Sequence, residues 1–586
     1  MKNTKKFAAM IAALTLSACS IAPMAMTASA ATATTITVPE GEHYGVEHEY
    51  KIYQIFTGTY KAATEDSGAT LEGLTWGNGV SGKSGAVDPT DAIYKILTEG
   101  EGTDRANIKA FIAELTLNDA NATTVTSSNG TATVEGGLAD GYYYIVDTTN
   151  LANGSGTVEG SDGNGNEVYD AKSAIMVQII GGETAEITVK KSRPSVEKKI
   201  EDNEAATVDG YDGIGFNESA DHAINETFQF KLTATIPADA DLKAYDYYYL
   251  NFKDTFSEGV TFEKIDKITI GSDVVIDTTD EDTSNDTSTL WTIPTDAKDV
   301  NDTRTFNVTT NDIKAQIGAD KWGVEAVTIE VLYSAHLNEN AEVFKEGTDE
   351  NGTADTNENK VSLEYSSNPE NSGDGKGKPE ETKETPEDYV WAFTYGVDDT
   401  KVDATDNNTK LPGAVFQLKK GDAVVKLQWN ATKKAYVVAD QDATVAEGDS
   451  LENPSMTGVT NYLVSNDSTV DTEKGTFNII GLDAGNYTLV EVKAPTGYAL
   501  PTGGNENTAF KVDANHKEVT GGTAAVLTFN NDENAAPANT VENSFSSSLP
   551  STGGIGTTIF YLGGGAMVAV AGVFLITKKR MGKSEN

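Results

Sequence analysis

Leu482-Asp483-Ala484-Gly485-Asn486-Tyr487-Thr488-Leu489-Val490-Glu491-Val492-Lys493-Ala494-Pro495 is the stretch whose reading decides the fold. From Tyr487 onward it alternates as side chains do along a β-strand, so Tyr487, Leu489 and Glu491 share a face. Tyr487 and Leu489 belong in a core, and Glu491 is expected to point inward with them. A carboxylate buried alone is costly, so it must be protonated or paired. A weaker copy occurs earlier, where Gly141 to Asp147 matches Gly485 to Glu491 in register with Asp147 in the glutamate's place. Two copies of one strand predict repeated β-sandwich modules.

The same reading extends along the chain. Phe228, Phe230, Leu232, Ala234 and Ile236 share one strand face, and Val327, Ile329, Val331, Tyr333 and Ala335 share another. Gly, Thr, Asn, Asp, Val and Tyr are plentiful, which favours strands and turns. The 586 residues give room for three or four domains. Of the charged side chains 89 are acidic and 44 basic, for a net charge of -45. That balance excludes nucleic acid as a general partner, because phosphate binding needs basic surface.

The N-terminus carries Lys2, Lys5 and Lys6, an apolar run from Phe7 to Leu16, and Ala28-Ser29-Ala30. It reads as a secretory signal peptide over 1–30, cut after Ala30. Leu16-Ser17-Ala18-Cys19 also fits a lipoprotein cleavage box, a weaker reading in a chain with a second anchor at its other end. Cys19 is the only cysteine. An exported chain without disulfides needs another staple.

A first domain is expected over 31–190. It opens with a strand at Tyr50–Phe56. Ile93, Ile96, Leu97, Ile108, Phe111, Ile112 and Leu115 then follow at helical spacing, and strands return at Gly141–Asp147 and Ala174–Ile180. Asp162, Asn164 and Asn166 mimic the start of a calcium loop, but Glu167 and Ser173 stand where Gly and Glu are required, so a turn is expected there. The second domain is expected over 191–385 and ends in a polar link from Ser366 to Asp388. The third spans 386–548, with Tyr389 to Tyr395 at its start. The five histidines (His43, His48, His222, His336, His516) show no metal spacing. No metal or cofactor is expected, nor any catalytic constellation of an enzyme.

Phase also selects the candidate chemistry. Val397 and Lys401 are in phase on the first strand of the third domain, and Val541, Asn543 and Phe545 on its last. Lys401, Glu491 and Asn543 can therefore all face one core. Burial makes a lysine shed its proton and a carboxyl keep one, and a neutral amine is a nucleophile. The set fits either a buried ion pair with a bystander amide or a Lys–Asn isopeptide formed with loss of ammonia. In the second domain Val196, Lys198 and Ile200 share a face, as do Leu250, Phe252, Asp254 and Phe256. Lys198 and Asp254 are the inward pair there. Asp147 of the first domain has no evident asparagine partner on the final strand, so no crosslink is expected in that domain.

The C-terminal end reads Leu549-Pro550-Ser551-Thr552-Gly553, then Ile555 to Thr577, apolar or small throughout, then Lys578, Lys579 and Arg580. About 20 apolar residues cross a bilayer, and the basic tail stays cytoplasmic.

These features together resemble the cell-wall sorting signal of Gram-positive surface proteins, whose rule is LPxTG. Tyr487 to Tyr498 (YTLVEVKAPTGY) resembles the E box of sortase-assembled pilins. Lys401-Val402-Asp403 before Leu411-Pro412-Gly413-Ala414, and Val541-Glu542-Asn543, resemble the first and last strands of a Cna-B type domain. Asp254-Thr255-Phe256 before Gly259 resembles collagen-adhesin-like pilin domains. The resemblance implies a mainly β chain of tandem immunoglobulin-like (Cna-A and Cna-B type) sandwiches, with some helix in the first and a C-terminal transmembrane helix. It implies the crosslink Lys401–Asn543 promoted by Glu491, and a second from Lys198 promoted by Asp254, with Asn368 as its family match. Strict alternation from Leu363 and Tyr365 would turn Ser367 inward instead, so Asn368 requires a bulge.

It further implies a backbone pilin, cleaved between Thr552 and Gly553 within Leu549–Gly553 by a pilus-specific sortase. The chain would be joined through Thr552 to an acceptor lysine, Lys191 ahead of Lys190, of an identical subunit. The implied partners also include a wall-anchoring sortase with peptidoglycan, minor pilins, and a host glycan or matrix ligand. The chain would be a sortase substrate and no enzyme, secreted and wall-anchored in a surface pilus. The alternatives are a non-polymerised wall-anchored adhesin, a minor pilin, or a wall-bound enzyme.

Overall fold

A computed structural model describes residues 33–37, 48–62, 70–99, 104–128, 130–148, 174–180, 185–188, 193–203, 213–278, 288–345, 348–349, 357–519, 522–532 and 534–545, with single positions at 568 and 573. The signal peptide, Lys190, Lys191, the Asn153–Asn166 loop and Leu549–Gly553 lie outside the described residues, as does the span from Ile555 to Thr577 apart from those two positions. Among the described residues no helix is long and apolar enough to cross a membrane. The architecture is mainly β, in several sheets. Two compact units divide it. The first comprises Met1–Tyr395, Gly481–Ala484 and Val512–Ala535, and the second Gly396–Ile480, Gly485–Lys511 and Ala536–Asn586.

The first unit begins with strand Ala33–Thr37. It lies between Ala185–Thr188, parallel to it, and Thr131–Glu135, antiparallel. A second sheet sets Glu49–Lys61 between Thr70–Trp76 and Gly141–Asp147, with Ala174–Ile179 beyond. Nearly every residue of Gly141–Asp147 is buried, on both faces. One face packs Tyr143 and Ile145 against Ile36 and Val134. The other packs Tyr142 and Tyr144 with Phe56 against Tyr94, Leu97, Ile108 and Phe111. Those last four lie on helices Ala92–Glu99 and Asp104–Ala113, where the apolar spacing predicts helix. Gly100 and Gly102, poor helix formers, stand between the two in sequence.

The rest of this unit holds a two-sheet sandwich. One sheet contains Ser195–Asp202, Thr227–Ile236, Val327–Leu337 and Val260–Ile270. Thr227–Ile236 alternates strictly, burying Phe228, Phe230, Leu232, Ala234 and Ile236. The other sheet sets Leu250–Phe256 between Thr305–Thr310 and Asn357–Ser366. Asp388–Phe393 continues that sheet, pairing Ala392 with Asn357 and Asp388 with Val361. This corrects the expectation that Tyr389–Tyr395 opens the third domain. The expected link from Ser366 to Asp388 is also partly built into the sheet, since Thr382–Glu384 pairs with Glu364–Ser366. An edge strand of polar residues is held by its backbone bonds and by ion pairs such as Lys253–Glu384. It buries too little on either face to leave a periodic signature.

In the second unit Val415–Lys420 pairs antiparallel with Gly485–Lys493, placing Phe416 beside Glu491 and Leu418 beside Leu489. Tyr395–Asp403 and Ala538–Asn543 lie parallel.

Gly259 sits where a Cβ would come 2.1 Å from Asn357 Oδ1 and 2.7 Å from Ala341 Cα. Asn357 is itself fixed, accepting from Glu342 N–H at 2.9 Å and donating to Ala392 O at 3.1 Å. Gly259→Ala is therefore expected to lower the urea midpoint, at a cost of about 1–3 kcal/mol for overpacking; an unchanged midpoint would show that the site yields freely.

Candidate functional site

In the second unit the burial of Ala538–Asn543 alternates, turning Asn539, Val541 and Asn543 inward. Phe545, expected in phase with them, is 67% exposed and rests its ring edge on Tyr498 beyond the strand end. The parallel register sets Lys401 beside Val541 and Asp403 beside Asn543. Lys401 reaches two register positions along and donates to Asn543 Oδ1 at 2.6 Å and to Val541 O at 3.1 Å. Glu491 arrives from Gly485–Lys493. Its Oε1 accepts from Asn543 Nδ2 at 2.7 Å, and its Oε2 lies 3.5 Å from Lys401 Nζ. All three side chains are buried. Burial pushes the Lys401 amine down from its ordinary range and the Glu491 carboxyl up.

A second cluster sits between the two sheets of the sandwich in the first unit. Lys198 projects from one sheet and makes an ion pair with Asp254 of the other. Both are wholly buried. Tyr333, beside Lys198 on its own sheet, accepts from Lys198 Nζ at 2.9 Å and donates to Asp254 Oδ1 at 3.2 Å. Asn359 Nδ2 donates to the same hydroxyl at 2.6 Å. Burial lowers the Lys198 amine to about 8 and raises the Asp254 carboxyl.

Asn368 is not brought to this cluster. It caps a short 3-10 turn through Glu370 N–H and donates to Glu381 Oε1 at 2.9 Å. In the register, Asp254 stands opposite Val361. Seven residues separate Val361 from Asn368, about 23 Å of extended strand. Asn359 lies only two residues from Val361. Its carbonyl oxygen is buried with no hydrogen-bond partner. The signal for Asn359 was the same alternation that marks Val361, Leu363 and Tyr365, carried one step upstream. The bridging role of Tyr333 left no signal, since a core tyrosine in phase looks like any other.

Two further acids are placed by the fold. In the first unit Asp147 contacts His48 Nδ1 at 2.9 Å, both buried. In the second, Asp399 is buried on the strand of Lys401 and accepts from Asn539 Nδ2 at 2.8 Å. Burial holds the Asp399 carboxyl well above the usual carboxylate range.

The Lys401 cluster holds the parts of an amine–carboxamide condensation. It has an amine pushed toward its neutral form, a carboxamide next to it, and a carboxyl able to exchange protons with both.

Residues 397–524 match the family model described as the SpaA prealbumin-like fold domain, and residues 541–581 match the LPXTG cell wall anchor motif. The chain is thus anchored at the cell wall. No curated protein matches it in sequence. Among solved structures it is similar to a modular three-domain backbone pilin of Streptococcus pyogenes, at 17% identity and a TM-score of 0.47 over 89% of this chain and 100% of that one. It is also similar to the full-length major pilin SpaD of Corynebacterium diphtheriae, at 16% identity and a TM-score of 0.41 over 88% and 98%. A third is the major pilin subunit BcpA of Bacillus cereus, at 15% identity and a TM-score of 0.37 over 88% and 99%.

The low Lys198 value fixes a pH dependence. Between about 8 and the ordinary lysine value of 10.5 the unfolded chain binds the proton that the folded chain has lost. This group's contribution is therefore full above the ordinary value and is lost as pH falls toward 8. In an Asn359→Ala chain the urea midpoint is expected to rise from pH 8 to pH 10 relative to a Lys198→Met, Asn359→Ala chain. Equal slopes would mean that the amine is not perturbed.

Proposed function

We propose that this chain is the backbone subunit of a covalently polymerised surface pilus, crosslinked within itself by Lys401–Asn543 and Lys198–Asn359 isopeptides. The observation that carries the reading is the buried Lys401–Glu491–Asn543 triad in a chain with an LPXTG anchor. The Lys401 nitrogen attacks Asn543 Cγ, the C–Nδ2 bond breaks, and Nδ2 leaves as ammonia. Glu491 touches both nitrogens, so it takes the amine proton and returns one to the leaving group. The acid thus meets the amide nitrogen, while the lysine holds the amide oxygen. In the other cluster Asp254 takes the acid's role and Tyr333 holds amine and amide together through one hydroxyl. Each reaction consumes its own residues, so the chain turns over once and is not an enzyme in the ordinary sense.

Polymerisation uses the other end of the chain. A pilus-specific sortase breaks the Thr552–Gly553 bond and holds the Thr552 carbonyl as a thioester. The amine of Lys191, or of Lys190, on an identical subunit displaces it. A wall-anchoring sortase joins the last subunit to peptidoglycan, and minor pilins or a host ligand complete the partners. Each internal bond carries tension covalently across its module, in parallel with the hydrogen-bonded ladders.

Intact mass tests the internal bonds. The mature chain is expected about 34 Da below its sequence mass, two ammonia lost in two condensations. Glu491→Gln and Asn359→Ala should each restore about 17 Da, while Asn368→Ala should restore none. A mature chain at its full sequence mass would refute both bonds.

Polymerisation is tested separately, in the wall fraction boiled in detergent. The native chain is expected to run as a high-mass ladder that collapses to single subunits in Lys190→Ala, Lys191→Ala cells. A native chain already running as single subunits would favour the non-polymerised adhesin instead.

A further inference from the structure

We infer that the first unit holds a divalent metal site formed by Asp202, Asp221 and His516, with Asp483 beside it. None of these residues takes part in the crosslinks. Asp202 ends strand Ser195–Asp202 and Asp221 ends Ser219–Asp221. His516 lies on Asn507–Val519, opposite Ala525. Three segments far apart in sequence thus converge, and ligand atoms of Asp202, Asp221 and His516 all lie within 4.8 Å of one another. Each of the three is at most 5% exposed, and Asp483 is 2% exposed.

The surroundings hold the donors in place. The His516 ring stacks on Phe393 with centroids 4.7 Å apart, and its Nε2 meets the Tyr395 hydroxyl at 3.0 Å. Tyr395 is also hydrogen-bonded to Asp221 and lies in the field of Asp483 and Asp202. Thr394 Oγ1 donates to Leu482 O at 3.1 Å, which draws the Asp483 segment to the cluster. The parallel pairing of Asp221 with Phe393 sets the remaining side. His222, next in sequence, turns its Nε2 to Glu201 O at 2.7 Å and stacks on Phe228.

Donor chemistry decides the ligand class. Two carboxylates and an imidazole offer oxygen and nitrogen in one buried cluster, and a +2 ion matches the formal charge of the two acids. Carboxylate oxygen with imidazole nitrogen suits zinc or manganese. With bonds of about 2.1 Å, tetrahedral ligands stand about 3.4 Å apart, so the donors need to close by about 1.4 Å at most.

The test uses the full-length chain in detergent, stripped with chelator, equilibrated with Zn2+ or Mn2+ and gel-filtered before metal analysis. One equivalent is expected to remain on the native chain. The Asp202→Asn, Asp221→Asn chain keeps the side-chain shapes and should bind roughly 100-fold more weakly or worse, since two direct ligands are lost. Its crosslink mass deficit, if retained, shows that it has folded. Co2+ in the native chain should give visible d–d absorption from the mixed nitrogen and oxygen field, a readout independent of the variants. No metal retained, equal retention by the variant, or retained cobalt without that absorption would each overturn the site, leaving carboxylates held by shared protons.

Discussion

A lysine amine and a carboxyl are shut together in apolar cores at two places, and the rest of the structure is arranged around that constraint. Neither group would enter such a core alone, because the desolvation cost of a lone buried charge exceeds what packing returns. Together they reach a compromise in which the amine is pushed toward its neutral form and the carboxyl toward its protonated one. Lys198 shows how the protein prepares the space. Its Nζ lies 5.0 Å from the Phe230 ring and 5.1 Å from that of Tyr333, so two aromatic rings line its site. Removing one member of such a pair strands the other, a loss of order 3–5 kcal/mol.

The two clusters reach the same end by different means. In the second unit lysine and amide share two adjacent strands, and the acid comes from a third. In the first unit the lysine belongs to one sheet and both acid and amide to the other. That cluster stitches sheet to sheet, with Tyr333 as the go-between. The first domain has the corresponding acid, Asp147, yet its described contact is His48. An imidazole is no nucleophile toward an amide in the way that a lysine amine is.

The strands were legible wherever one face is buried and the other wet. Thr227–Ile236 and Tyr487–Glu491 could be read by phase alone, and the inward turn of Lys198, Asp254, Lys401, Glu491 and Asn543 followed from their neighbours. Reading failed at strand ends and edges. Asn368 matches the family motif by position, but a capping turn claims its side chain. Asn359 is buried in the same phase as Leu363 and Tyr365, but an asparagine near a strand's start gives no sign of burial. Asp399 stands between Val397 and Lys401 in the same phase, yet aspartate is ordinarily a surface residue, so its type conceals its burial. Thr382–Glu384 and the Asp202–Asp221–His516 cluster depend on pairings between distant segments, which no local pattern encodes.

The parallel setting of Tyr395–Asp403 against Ala538–Asn543 has a mechanical corollary. The chain enters this strand pair at one pole and leaves at the other. A pull applied at the two ends therefore acts along the strands, and the six paired positions from Asp398–Ala538 to Asp403–Asn543 resist it in shear, all at once. An antiparallel pair with its free ends side by side would instead peel apart rung by rung, at far lower force.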